Sequence, residues 1–264
     1  MDRFCRFISD HRLLSVVLFS IIECAAYALI LWENPVWLVV GCVCLVFVNV
    51  LYVQVCANKL IVFANAELTD ACDPMPLLEE CNRQLAREKP GMRYQMLQID
   101  KTAALANMGD FAEAHEILSG MNIDKYAGTL SVHKMIYYHN FSAVCHMMEK
   151  WDAADLYHQK AAMLYNDLRS AKQKKLLNWS LLSAEWEMHY RHGDYARALT
   201  VLDQMQPETL LQKVDHAWGY GNVYAAMGDL DRALKNLQYV ADYPRLYTGR
   251  RAKELLAELL NVNK

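Results

Sequence analysis

Six prolines and ten glycines in 264 residues are too few for a sheet-rich chain, which needs a turn every few residues. From residue 92 onward Ala, Leu, Met, Lys and Glu dominate instead, a mixture that favours helix. An excess of one charge is also missing. The formal net charge is -3, so there is no basic stripe of the kind that holds nucleic acid. No CxxC pair occurs. Of the eight cysteines, Cys5, Cys24, Cys42, Cys44 and Cys56 lie in or beside an apolar N-terminal region, leaving Cys72, Cys81 and Cys145 in the rest. Three scattered thiols exclude a disulfide framework and argue against zinc, and they fit a reduced, cytosolic soluble part.

The signatures of site chemistry are absent too. There is no phosphate loop, no dinucleotide fingerprint and no GxSxG. His139 and His146 are seven residues apart, so they share a helix face but stand about 10 Å apart along its axis, too far to bind one ion. His189 and His192 are three apart, with no third ligand suggested. Glu79 and Glu80 are the one adjacent pair of carboxylates, and a solvated helix face is expected for them. Cys145 reads as an inert core thiol. The expectation is a protein without catalytic residues, metal or cofactor.

What the sequence has in abundance is apolar length. Leu13 to Trp32 and Val36 to Cys56 each give about 20 mostly apolar residues, enough to cross a hydrocarbon core as a helix. Only Glu33, Asn34 and Pro35 separate them, so a helical hairpin at 13–56 is expected, with spans at 13–32 and 36–56. Trp32, Trp37 and Tyr52 sit near the ends, where amphipathic rings favour the interface. Arg3, Arg6 and Arg12 precede the first span, the loop has no Lys or Arg, and Lys59 follows the second. The positive-inside rule then places both chain termini in the cytoplasm of a multi-pass protein of the cell membrane. A cleaved signal peptide fits less well, because the run exceeds a usual signal core and a second span follows at once. The lack of organelle signals leans towards a bacterial membrane.

Glu23 lies near the middle of the first span. A central carboxylate costs about 3 kcal/mol, and the eleven Leu, Ile, Val and Phe residues from Leu13 to Leu31 return roughly 5 kcal/mol, so the span still inserts. Folding the hairpin brings Glu23 within about a turn of Asn49. This intramembrane polar pair reads either as a helix–helix contact, within one chain or in a homo-oligomer, or as an ion-handling site of a membrane-complex subunit.

Beyond a helical connector at 57–91, four segments recur in the region 92–264: "MGDFAEA" at 108–114, "MEKWDAA" at 148–154, "HGDYARA" at 192–198 and "MGDLDRA" at 227–233. The turns start 40, 44 and 35 residues apart, a solenoid period. Gly109, Gly193 and Gly228 suit a left-handed helix end, the following Asp suits a cap, and Ala114, Ala154, Ala198 and Ala233 let paired helices approach. Phe111, Trp151, Tyr195 and Leu230 are expected to plug the gaps between them.

In its best unit, Trp218, Gly221, Tyr224, Gly228, Asp229, Ala233, Leu237 and Pro244, the chain resembles the tetratricopeptide repeat family. The other units are degenerate, with Glu149 where a turn glycine is usual and Trp186 where a small residue is usual. The resemblance implies an all-α fold, a TPR-like α-helical solenoid after the hairpin, closed by a C-terminal helix carrying Leu255, Leu256, Leu259 and Leu260. It also implies a concave groove that takes a protein or peptide, with Met96, Ile99, Ala103, Ile136, His139, His146, Ser183, Glu187, Tyr190, Trp218 and Asn222 at the lining positions. Asn222 matches part of the family's carboxylate clamp, but Asp215 and Trp218 stand where its basic partners belong, so a C-terminal carboxylate is not the expected ligand. The function implied is a membrane-anchored scaffold or adaptor.

Overall fold

The computed structural model describes residues 2–30, 35–123, 125 and 131–262, and every regular element among them is helical. They form two compact units, Met1–Ala64 and Asn65–Lys264. Leu31 and Trp32 at the end of the first expected span, and Glu33 and Asn34 of the expected loop, lie outside the described residues.

The first unit contains α1 (Asp2–Asp10), α2 (Arg12–Ile30) and the first part of α3 (Pro35–Ala71). α3 is long and apolar enough to cross a membrane, and it leaves Val36, Val39, Val43 and Phe47 exposed. Nothing in residues 57–71 breaks a helix, so α3 runs past the expected end of the span until Cys72, at φ 55, and the Asp73-Pro74 pair. α1 is a helix where the sequence suggests only a plain terminus. It meets α2 at a bend of 100°, and its Cys5 and Ile8 are buried against Val53, Cys56 and Leu60 of α3. Its Phe4 and Phe7 remain exposed.

The second unit follows with α4 (Met75–Leu85), α5 (Met92–Met108), α6 (Phe111–Gly120), α7 (Ser131–Met147), α8 (Trp151–Asp167), α9 (Ala171–Arg191), α10 (Tyr195–Gln204), α11 (Leu210–Ala226), α12 (Leu230–Ala241) and α13 (Tyr247–Val262). The tight turns leave α5/α6, α7/α8, α9/α10 and α11/α12 packed as adjacent pairs. α4 packs on α5, and residues 65–91 of the expected connector fall in this unit, while 57–64 fall in the first. Its Leu77 and Cys81 are buried, and so is Glu80, contrary to the solvated position expected for it. An ion pair from Arg83 and a 2.6 Å hydrogen bond from Gln84 Nε2 satisfy the Glu80 carboxylate and offset the cost of burying it.

The recurring residues explain the pairs. Ala114, Ala154, Ala198 and Ala233 are all at most 1% exposed, so each helix pair closes over a methyl group. Asp194 and Asp229 accept hydrogen bonds from the backbone N–H of Arg197 and Arg232, capping α10 and α12. Asp110 makes no such side-chain bond. The large residues plug the gaps only in part: Phe111 and Tyr195 pack, half-buried, against the cores of their helix pairs, whereas Trp151 is 43% exposed and Leu230 is only half-buried.

The glycine of three turns has φ between 74° and 88°, and Glu149 adopts φ 59° at the fourth. A left-handed conformation costs a non-glycine residue about 1–2 kcal/mol. Glu149→Gly is therefore expected to stabilise the fold by about 0.5–1 kcal/mol, after allowing for glycine's larger unfolded-state entropy. Urea unfolding measures it, and a destabilised variant would show that Glu149 contributes contacts that outweigh the strain.

α13 closes the row in a way the sequence did not reveal. It packs on α12 and also reaches back to α5, the second helix of the unit. Tyr247 meets Phe111 edge-on at 4.8 Å between ring centroids, and the Arg250 guanidinium donates to the Met108 carbonyl. Leu260 is exposed, and Leu255, Leu256 and Leu259 are half-buried, so the expected leucine cover is partial. Ala252 and the preceding Leu246 are the buried contacts instead.

Candidate functional site

The inner faces of α5, α7, α9 and α11 converge on one recess of about 180 Å³, bounded by the start of α13. Its walls have three kinds of residue. Ala103, Ala106 and Ala143 keep the helices thin there; Phe111, Trp186, Trp218 and Tyr247 supply rings; and Asn107, Asn140, His139, Ser183, Glu187, Asp215 and Thr248 supply polar groups. Met147 and Met205 complete the apolar surface.

The charges in the recess are unbalanced. The Asp215 carboxylate accepts no hydrogen bond and makes no ion pair among the described residues. His146 Nδ1 lies 3.9 Å from Glu187 Oε2. Arg191, one turn on from Glu187, is held by Asp155 at 2.6 Å and lies over the Trp151 ring. Burial pushes Asp215 up to about 7, with repulsion from Glu187 adding to it. Burial likewise pushes Glu187 up to about 7, partly offset by Arg191. The Glu187 side chain keeps 22% of its surface exposed, but that exposure opens on the recess it lines, so the surrounding protein still governs its ionisation.

The histidines are driven the other way. Burial, reinforced by His158, lowers His139 to about 4, and burial with Arg191 lowers His146 to about 4. Both imidazoles are neutral at pH 7, and each leaves a buried Nδ1 without a partner. Two thiols of this unit are held in the protonated form. Burial, with the charge of Asp215, pushes Cys72 up to about 11, and burial raises Cys145, which is fully enclosed. The recess therefore offers two carboxylates and a set of aromatic faces to a ligand, and no thiolate.

Ala103, His139, Ser183, Glu187 and Trp218 are the expected lining residues found at the recess. Six others are elsewhere. Ile99 is buried in the core between α5, α6 and α7, and Ile136 packs against that core. Tyr190 packs against the core built around Trp186 and Ala198. Met96 is half-buried away from the recess, and His146 sits behind it, edge-on to the Trp151 ring. Asn222 Nδ2 donates to the Trp218 carbonyl at 2.7 Å, one turn back on its own helix. Asp215 and Trp186 carry the site, and both stand out in the sequence as departures from the repeat pattern.

In the first unit, Asn49 Nδ2 donates to Glu23 Oε2 at 2.8 Å and approaches Ser20 Oγ at 3.2 Å. Side chains of α2 and α3 thus meet at a polar cluster inside an apolar stretch. Among the described residues, no group of His, Cys, Asp and Glu has the arrangement of a metal site.

These features define an all-helical protein in which a row of helix pairs encloses an acidic, aromatic recess, preceded by one long apolar helix. No protein-family model, curated protein or solved structure matches the chain.

Proposed function

We propose that this chain is a membrane-anchored adaptor, with α2 and α3 as a transmembrane hairpin and the second unit as a TPR-like helical repeat domain that binds a partner protein at the cytoplasmic face. The convergence of four inner helix faces on one recess, where the buried His139 Nδ1 has no hydrogen-bond partner among the described residues, is the observation that carries this reading. Anchoring raises the effective concentration of the repeats for other membrane proteins. The length and apolar character of α3, and the arginines at positions 3, 6 and 12, support the anchor and its orientation. The hydrogen bonds from Asn49 give Glu23 a role in holding two helices together, which favours the adaptor over a reading in which the hairpin handles ions.

A photo-crosslinking amino acid at position 183, in the recess, tests the adaptor in intact cells. One discrete adduct is expected from that position and none from position 235 on the exposed side of α12. Absence of an adduct at 183, or the same adducts from both, would overturn the proposal.

A further inference from the structure

The recess contains its own description of what fits it. Two carboxylates face a small space, and no cation of the protein neutralises Asp215 among the described residues. Arg191 is the guanidinium near Glu187; its Nη2 donates to Asp155, and its charge offsets that of Glu187 only in part. Rings of Trp186, Trp218, Phe111 and Tyr247 stand in the same wall, and aromatic faces attract cations. The neutral His139 adds no opposing charge.

Size narrows the choice. A dry cavity of about 150 Å³ takes one benzene molecule, so 180 Å³ admits a ligand part of only slightly larger bulk. The inner space is therefore best filled by a short alkyl stem ending in one charged group. An ammonium has three rotatable donors and can serve two carboxylates that project from different helices, whereas a planar guanidinium needs them nearly coplanar. The methyl groups of Ala103, Ala106 and Ala143 line the remaining space for the stem.

We infer that the recess is a binding site for a primary alkylammonium group, held by Glu187 and Asp215 and walled by Trp186 and Trp218. The group comes either from the lysine of a partner or from a free small amine. The inference deepens the adaptor reading, since it concerns the same recess, and it is independent of the membrane anchor.

The test is a titration of the full chain in detergent micelles at pH 8, read by tryptophan fluorescence and calorimetry. The probes are n-butylamine, its neutral analogue n-butanol, and a blocked pentapeptide with one central lysine among alanines. Saturable binding of an amine probe, at least tenfold tighter than butanol, is expected. Asp215→Asn and Glu187→Gln should each weaken it about tenfold or more while circular dichroism stays unchanged, because a hydrogen bond to a charged group is lost in each. Tighter binding of the pentapeptide assigns the ammonium to a partner's lysine, and binding of butylamine alone assigns it to a free amine. Equal binding of butanol and butylamine, no binding of either amine probe, or unchanged binding in both variants would overturn the inference. Loss of amine binding with the crosslink from position 183 intact sinks this inference alone, and the converse result sinks the adaptor alone.

Discussion

Asp215→Asn stabilises the fold at pH 8 by about 2–3 kcal/mol, and the gain disappears below about pH 4. The sign follows from the direction in which the carboxyl moves. Burial raises it from an ordinary 3.8 to about 7 in the folded chain. The folded state therefore binds the proton more tightly than the unfolded state, and stability falls as pH rises between these two values. Below them both states are protonated and no penalty exists. Above them the ionised group sits in its desolvated recess at full cost, about 1.4 kcal/mol for each tenfold difference in proton affinity between the folded and unfolded chain. Asparagine removes the charge but keeps a polar group to bury, so part of the gain is forfeited. Glu187, the neutral His139 and His146, Arg191, Tyr247 and Cys72 are the titratable or charged groups around the same space, and repulsion from Glu187 makes its own replacement by glutamine partly redundant with this one. Thermal melts from pH 4 to 8 measure the effect, with a rise of about 4–12 °C at the alkaline end for a domain of this size. An identical gain at pH 4 and pH 8 would show that the carboxylate is solvated in the folded chain.

Gly249→Ala is expected to do the most damage of any single methyl group. Gly249 lies in the first turn of α13, where an added Cβ would fall on the Tyr243 carbonyl and within 3.2 Å of the Val240 oxygen. Both obstacles are backbone, so no side-chain rotation can relieve them, and α13 must lift from α12. A loss of about 3 kcal/mol or more follows, at the upper end for overpacking. Gly228→Ala is the control. It has open space around it and a φ of 78°, so only the left-handed penalty of about 1 kcal/mol applies. Because Tyr247 and Thr248 wall the recess, Gly249→Ala should also abolish amine binding, whereas Gly228→Ala should leave it intact. Equal effects of the two variants on urea unfolding and on binding would mean that α13 does not hold the recess closed.

The contrast between these glycines marks what could be read without a structure. A left-handed turn and a small residue between helices are local requirements, so Gly109, Gly193, Gly228 and the four alanines announced themselves. Helical pairing followed from them. The recess was only half legible. His139, Glu187 and Trp218 line the recess, whereas Ile99 lies in a core and Tyr190 packs against one, a choice of face that a repeat pattern does not fix by itself. Asp215 looked merely like the wrong residue for a carboxylate clamp. Its proximity to Glu187 depends on how α9 and α11 stack, which no local pattern encodes. The bend between α1 and α2 had no breaker residue to signal it.

The return of α13 to α5 changes how the second unit can come apart. An open row of helix pairs has two free ends, and each end opens at little cost to the middle. Here the ends are joined by Tyr247 on Phe111 and by Arg250 on Met108. Fraying of α13 therefore strips cover from α5 as well, and loosening of α5 undercuts α13. The two termini of the row are therefore expected to exchange their amide hydrogens as one cooperative unit, giving a row of helix pairs the all-or-none character of a domain built from distant contacts.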